Sequence, residues 1–127
     1  MNISRIRALR GPNLWSRNTA IECIVHCTEQ ECDFTQIAHF ETRVRARFPA
    51  IGSLQAQGMD NLLSIGHVLE SAALALQAQA GCPVTFSGTH ATVEANTFQV
   101  VVEYTEEAVG RRAIELADAL VQAALND

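Results

Sequence analysis

Residues 2–9 mix β-formers with charge, Ile3, Ile6 and Leu9 sitting among arginines, and this pattern predicts a first strand. Gly11-Pro12-Asn13 interrupts it, because proline lacks a backbone donor and glycine permits a sharp turn. Ile21, Ile24 and Val25 predict a second strand over residues 20–27. Asp33-Phe34-Thr35-Gln36 has the form of a capping box. The helix it would open carries Phe34, Ile37, Phe40, Val44 and Phe48 at helical spacing and ends before Pro49. A polar connector with Gly52 and Gly58 fills residues 50–60. Asp60 is then a candidate cap for a helix over residues 61–80, with Leu62, Ile65, Leu69, Ala72, Leu76 and Ala80 on one stripe. Five alanines between Ala72 and Ala80 leave room for a close neighbour, and Gly81 and Pro83 stop the helix. Residues 83–87 and 97–104 are expected to be strands, separated by a loop over 88–96. Val100-Val101-Val102 predicts a strand apolar on both faces, hence central. Thr105 is expected to cap a last helix over 106–125, with Val109, Ala113, Leu116, Leu120 and Ala124 facing the core.

The order β-β-α-α-β-β-α, with strands in adjacent pairs, predicts an α+β fold. We expect an antiparallel sheet of about four strands with three helices packed on one face, and a single domain over residues 1–127. An apolar fraction of 48% with 18% charged residues excludes a disordered chain. The net charge of −5 argues against a nucleic-acid surface. The nine basic residues are all arginine, and Arg5, Arg7, Arg10 and Arg17 crowd the first strand and its loop. No apolar leader follows the first charges and no run of roughly 18 apolar residues occurs, so neither a signal peptide nor a membrane span is expected. A cytoplasmic location is the resulting expectation. Cys23, Cys27, Cys32 and Cys82 match no zinc spacing, and Cys23 and Cys27 alternate with Ile21 and Val25 as core residues would.

Candidate chemistry centres on the long helix. His67, Glu70 and Ser71 can share one helical face, three and four residues apart. A His-x-x-Glu-His helix uses two histidines to hold zinc and the glutamate to polarise water. Here Ser71 stands at the last position, leaving at most two ligating groups, and by spacing alone a polar pair on an amphipathic helix is the better account of His67 and Glu70. Glu103, at the end of a valine-rich strand, can serve as a third ligand or lie at a solvated strand end. His90, in the expected loop, is a candidate replacement for the missing histidine or simply a solvated side chain. His26 and His39 lie outside this set. A second candidate is the corner Leu9-Arg10-Gly11-Pro12-Asn13-Leu14-Trp15. Arg10 can grip a carboxylate and Trp15 can stack on a guanidinium, or else Trp15 plugs the core and Asn13 satisfies the turn. Arg111 and Arg112 read as a solvated helix face.

Several stretches together resemble the amino-terminal domain of cyanophycin synthetase. They are Ile6-Arg7-Ala8-Leu9-Arg10-Gly11-Pro12-Asn13-Leu14-Trp15, Gly66-His67-Val68-Leu69-Glu70, Ala80-Gly81-Cys82-Pro83-Val84 and Phe98-Gln99-Val100-Val101-Val102-Glu103-Tyr104. The resemblance implies a parent enzyme that uses ATP to join aspartate and arginine into a β-Asp-Arg polymer, with ligation performed by domains absent from this chain. It also implies a domain that holds the polymer and, in some members, cuts it with a metal site made of a His-x-x-Glu-His helix and a later glutamate. His67, Glu70 and Glu103 match that site, while Ser71 departs from it. An Arg-Thr-Arg-Glu-Thr run common in the family is Gly88-Thr89-His90-Ala91-Thr92 here.

The resulting expectation is a non-catalytic accessory domain that binds the polymer or supports the ligase, with Arg10, Asn13, Trp15, Glu70 and Glu103 as contacts. His67, Glu70, Ser71 and Glu103 would be vestiges of a metal site, and no cofactor is expected. The alternative is a residual zinc hydrolase holding metal through His67, Glu103 and His90. A second alternative is a purely structural or oligomerisation domain. The partners expected are the polymer, ligase domains and another copy of the chain, with neither nucleic acid nor membrane among them.

Overall fold

Val100, Val101 and Val102 are all buried, as a strand enclosed on both sides requires. In the computed structural model, which describes residues 1–34, 39–51 and 61–126, these valines belong to β4, Thr97–Glu103. β4 lies inside a four-stranded antiparallel sheet of order β1-β2-β4-β3. Its companions are β1 (Asn2–Leu9), β2 (Ala20–His26) and β3 (Ser87–Ala91).

Strand alternation divides the sheet into two faces. Phe98, Val100 and Val102 join Ile21, Cys23 and Val25 in the core, under the helices. Gln99, Val101 and Glu103 pair in register with Ile24, Glu22 and Ala20 and belong to the opposite face. One residue is inserted into β1 between Ser4 and Ile6: Arg5 bulges out with a left-handed φ of 54°.

The helical layer contains α1 (Glu29–Phe34), α2 (His39–Arg47), α3 (Asn61–Gln79) and α4 (Glu107–Leu125), with a 3-10 turn at Pro49–Ile51. Phe40 and Val44 of α2, Ile65, Leu69 and Ala72 of α3, and Ala113, Ile114 and Ala117 of α4 close the core. α3 ends as expected: Gly81 takes φ +81°, and Cys82 N–H and Gly81 N–H donate to the Gln77 and Ala78 carbonyls, satisfying two carbonyls that would otherwise be orphaned.

Several boundaries differ from the sequence expectation. The single helix expected before Pro49 is described as α1 and α2, and residues 35–38 lie outside the described residues. Asp33 falls inside α1, whose cap is Thr28: Glu31 N–H donates to Thr28 Oγ1, and Thr28 N–H donates to Glu31 Oε1. The connector from residue 52 and the candidate cap Asp60 also lie outside the described residues. β3 runs over residues 87–91 rather than 83–87, because pairing with β4 fixes it: Ser87 meets Val102 and Ala91 meets Phe98. His90 is therefore a strand residue, and only residues 92–96 remain as the turn. The N-cap of α4 is Glu106, not Thr105, and its side chain makes no capping bond. The buried stripe of α4 is Gly110, Ala113, Ile114, Ala117, Val121 and Ala124, which leaves Leu116 exposed. Small residues on that stripe let the helix approach closely.

Candidate functional site

Gly66 brings α3 against β3. A Cβ at this position would stand 2.8 Å from Phe98 Cε2 and closer still to Thr89, so only glycine admits the approach. One helical turn later Glu70 faces the same strand. Ser87 Oγ donates to Glu70 Oε1 at 2.8 Å, and Thr89 Oγ1 donates to Glu70 Oε2 at 2.5 Å. Ser87 and Thr89 sit two apart, as side chains on one face of a strand do, and bracket the buried carboxylate. The sequence pattern does not single out either hydroxyl, because it places β3 four residues too early. His67 and Ser71 lie half-buried on the same helix.

Glu103 is elsewhere. The alternation that buries Val100 and Val102 under the helices turns Glu103 to the opposite face, where Ser16 Oγ and Asn18 Nδ2 donate to its Oε2, the latter at 3.1 Å. The structure thus brings His67, Glu70 and Ser71 onto one helix and holds Glu103 apart from them. His90 belongs to the Glu103 face as well, since it pairs with Gln99. Among the described residues, no three His, Cys, Asp or Glu side chains gather closely enough to hold a metal ion.

The segment between β1 and β2 folds over that second face. Asn13 organises it. Its Oδ1 accepts from Trp15 N–H and Ser16 N–H, both at 2.9 Å, and its Nδ2 donates to the Arg10 and Asn18 carbonyls. All of its hydrogen-bonding capacity is spent inside the turn. Gly11 lets the turn close, because a Cβ there would stand 2.7 Å from the Asn18 carbonyl carbon. Trp15 then stacks on His90, with ring centroids 4.4 Å apart and planes 25° from parallel. It covers the sheet rather than entering the helical core.

Between this turn, residues 83–85 and the end of β4 lies an open cavity of about 560 Å³. Gly11, Arg17, Asn18, Thr85, Glu103 and Tyr104 are among its lining residues. Glu103 is buried and Arg17 exposed, so the cavity offers a fixed carboxylate on its wall and a guanidinium at its mouth. Arg10, also exposed, precedes the lining residue Gly11.

A family model for the cyanophycin synthase-like N-terminal domain matches residues 21–126. The chain belongs to this family. The cyanophycin synthetase of Trichormus variabilis is 34% identical over 134 aligned positions, covering 96% of this chain and 15% of that protein. The cyanophycin synthetase of Nostoc sp. matches to the same extent. The chain therefore spans about 15% of the length of these relatives.

Family membership makes the fit of a metal a concrete question, and among the described residues His67, Glu70, Ser71 and Glu103 do not fit one. Zinc in a catalytic site needs three protein ligands around an open position. Ser71 supplies a neutral hydroxyl where the motif has an imidazole. Both Glu70 oxygens already accept hydrogen bonds, one from Ser87 and one from Thr89. Glu103 is on the other side of the sheet. No helix among the described residues is long and apolar enough to cross a membrane.

Proposed function

We propose that this domain is an accessory module that binds the β-Asp-Arg polymer for a cyanophycin ligase and does not cut it with a metal at His67, Glu70 and Glu103. One observation carries the reading: Glu103, a buried carboxylate, stands in a cavity with Arg17 at its mouth. The polymer presents guanidinium and carboxylate groups side by side. A carboxylate pairs with the first through charge-assisted hydrogen bonds, and an arginine grips the second. Ser16 and Asn18 already orient Glu103, so little ordering remains to be done on binding. Arg10, exposed and next to the lining residue Gly11, adds a second cation, while Trp15, stacked on His90, holds the turn against the sheet. Support for the parent's ligase reaction follows in this reading, because a domain that tethers the growing chain raises its local concentration at the ligating domains.

Titration calorimetry with soluble polymer tests this. We expect binding heat from the wild-type chain, and Glu103→Gln and Arg17→Ala each to weaken it roughly tenfold, the equivalent of one charged contact. Absence of heat with excess polymer removes the binding reading and leaves a structural role.

A further inference from the structure

The far end of the same sheet face holds a second cluster, independent of the cavity beside Glu103. His26 lies between two hydroxyls: its Nε2 is 2.8 Å from Ser4 Oγ, and its Nδ1 is 3.2 Å from Thr97 Oγ1. Thr97 donates its own proton to the Ala95 carbonyl at 3.1 Å. Its oxygen is then an acceptor toward the ring, so Nδ1 carries the hydrogen and Nε2 keeps the lone pair. Ser4 donates into that lone pair. A nucleophilic hydroxyl on a histidine whose other nitrogen is held by a third group is the arrangement that activates serine.

Two further features suit the chemistry. Ser4 immediately precedes the Arg5 bulge, where the non-glycine φ of 54° breaks the regular ladder beside the hydroxyl. Ser4, His26 and Thr97 also open on a cavity of about 320 Å³, whose wall carries Arg5, Ile24 and Glu94. Arg5, on the wall of that cavity, gives it a cation that can offset negative charge on an attacked carbonyl.

We infer that Ser4 and His26 form a nucleophile and general base, positioned by Thr97, that accept the acyl group of a short-chain carboxylic ester. Ser4 Oγ bonds to the carbonyl carbon as His26 Nε2 takes its proton. The carbon–oxygen bond to the alcohol then breaks, and the alcohol leaves with that proton. Water, deprotonated by the same nitrogen, attacks the acyl-serine, releases the acid and restores Ser4.

The test is labelling of the full 127-residue chain with a fluorophosphonate, read by intact mass and peptide mapping. Here the Oγ–P bond forms, the P–F bond breaks and fluoride leaves. One adduct at Ser4 is expected, absent in Ser4→Ala. His26→Gln, which keeps the nucleophile, should slow labelling about 100-fold, the contribution of a positioned base. Thr97→Val should slow it several-fold and Thr97→Ser should restore it, a rescue that a merely structural threonine would not produce. Circular dichroism establishes that each variant is folded. Ser4 labelling no faster than in the urea-unfolded chain, or unchanged in folded His26→Gln, overturns the inference.

Discussion

Glu70 and Glu103 hold their carboxylates on opposite faces of one sheet, the first against Ser87 and Thr89 and the second against Ser16 and Asn18. The strand between them sets this separation. Val100 and Val102 are committed to the helical core, so an odd-numbered residue of β4 has nowhere to point but away. The two glutamates serve two different surfaces.

Glu70 is satisfied by two hydroxyls, and its contribution to stability depends on them. Thr89→Val keeps the shape of the side chain and removes one donor from a buried carboxylate. It should cost about 1–3 kcal/mol, the usual penalty for a buried polar atom that loses its partner. A lower urea midpoint at unchanged m reports this, and Thr89→Ser should recover most of it. Equal midpoints for Thr89→Val and wild type would show that the bond carries no weight.

Trp15 is the only tryptophan of the chain, so its fluorescence reads the turn between β1 and β2 without interference. Its face rests on His90. His90→Ala should remove about 0.5–1.5 kcal/mol, the worth of a stacked ring pair, and shift the emission to the red as water reaches the indole. Unchanged emission would mean that the stack does not hold Trp15 in solution.

Much of this arrangement is legible in the sequence, and the exceptions have physical causes. The run Val100-Val101-Val102 announces a central strand because no exposed strand keeps apolar residues on both faces. The same run carries the answer for Glu103: if Val100 and Val102 face the helices, Glu103 cannot. β3 is illegible because Ser87-Gly88-Thr89-His90 has weak strand character, and its place is decided by pairing with β4 rather than by local propensity. The α1 cap is Thr28-x-x-Glu31, a motif of the same form as Asp33-x-x-Gln36, and local sequence does not rank the two. The contact between Trp15 and His90 joins residues 75 positions apart and leaves no local trace.

Cys23 faces the core between β2 and the helices. Burial, with smaller help from the charges of Asp118 and Glu22, pushes its thiol up to about 12. The thiolate is the reactive form, so Cys23 should stay unmodified by a maleimide or disulfide reagent at pH 8 in the folded protein. It should react once urea unfolds the chain. Peptide mapping after labelling, with and without urea, distinguishes the two states, and modification of Cys23 in the folded protein would contradict its placement.

The acid limit of stability involves Glu31. Burial is the largest single influence and raises its carboxyl, but the Met1 ammonium and the Thr28 backbone and hydroxyl together outweigh it and hold the carboxyl below its ordinary 4.5. In the folded chain Glu31 therefore stays charged at a pH where the unfolded chain has already bound a proton. Its stabilising contribution is fully present above the ordinary carboxylate range and fades as pH falls through the depressed folded value. Acetylating the Met1 amine removes the ammonium while leaving the Thr28 cap in place. Urea midpoints measured from about pH 6 down to about pH 3 should fall less steeply for the acetylated chain than for the free amine, starting from a lower value at the upper end. Parallel curves would mean that the pair between Met1 and Glu31 contributes nothing to acid sensitivity, and that the cap alone tethers the start of α1.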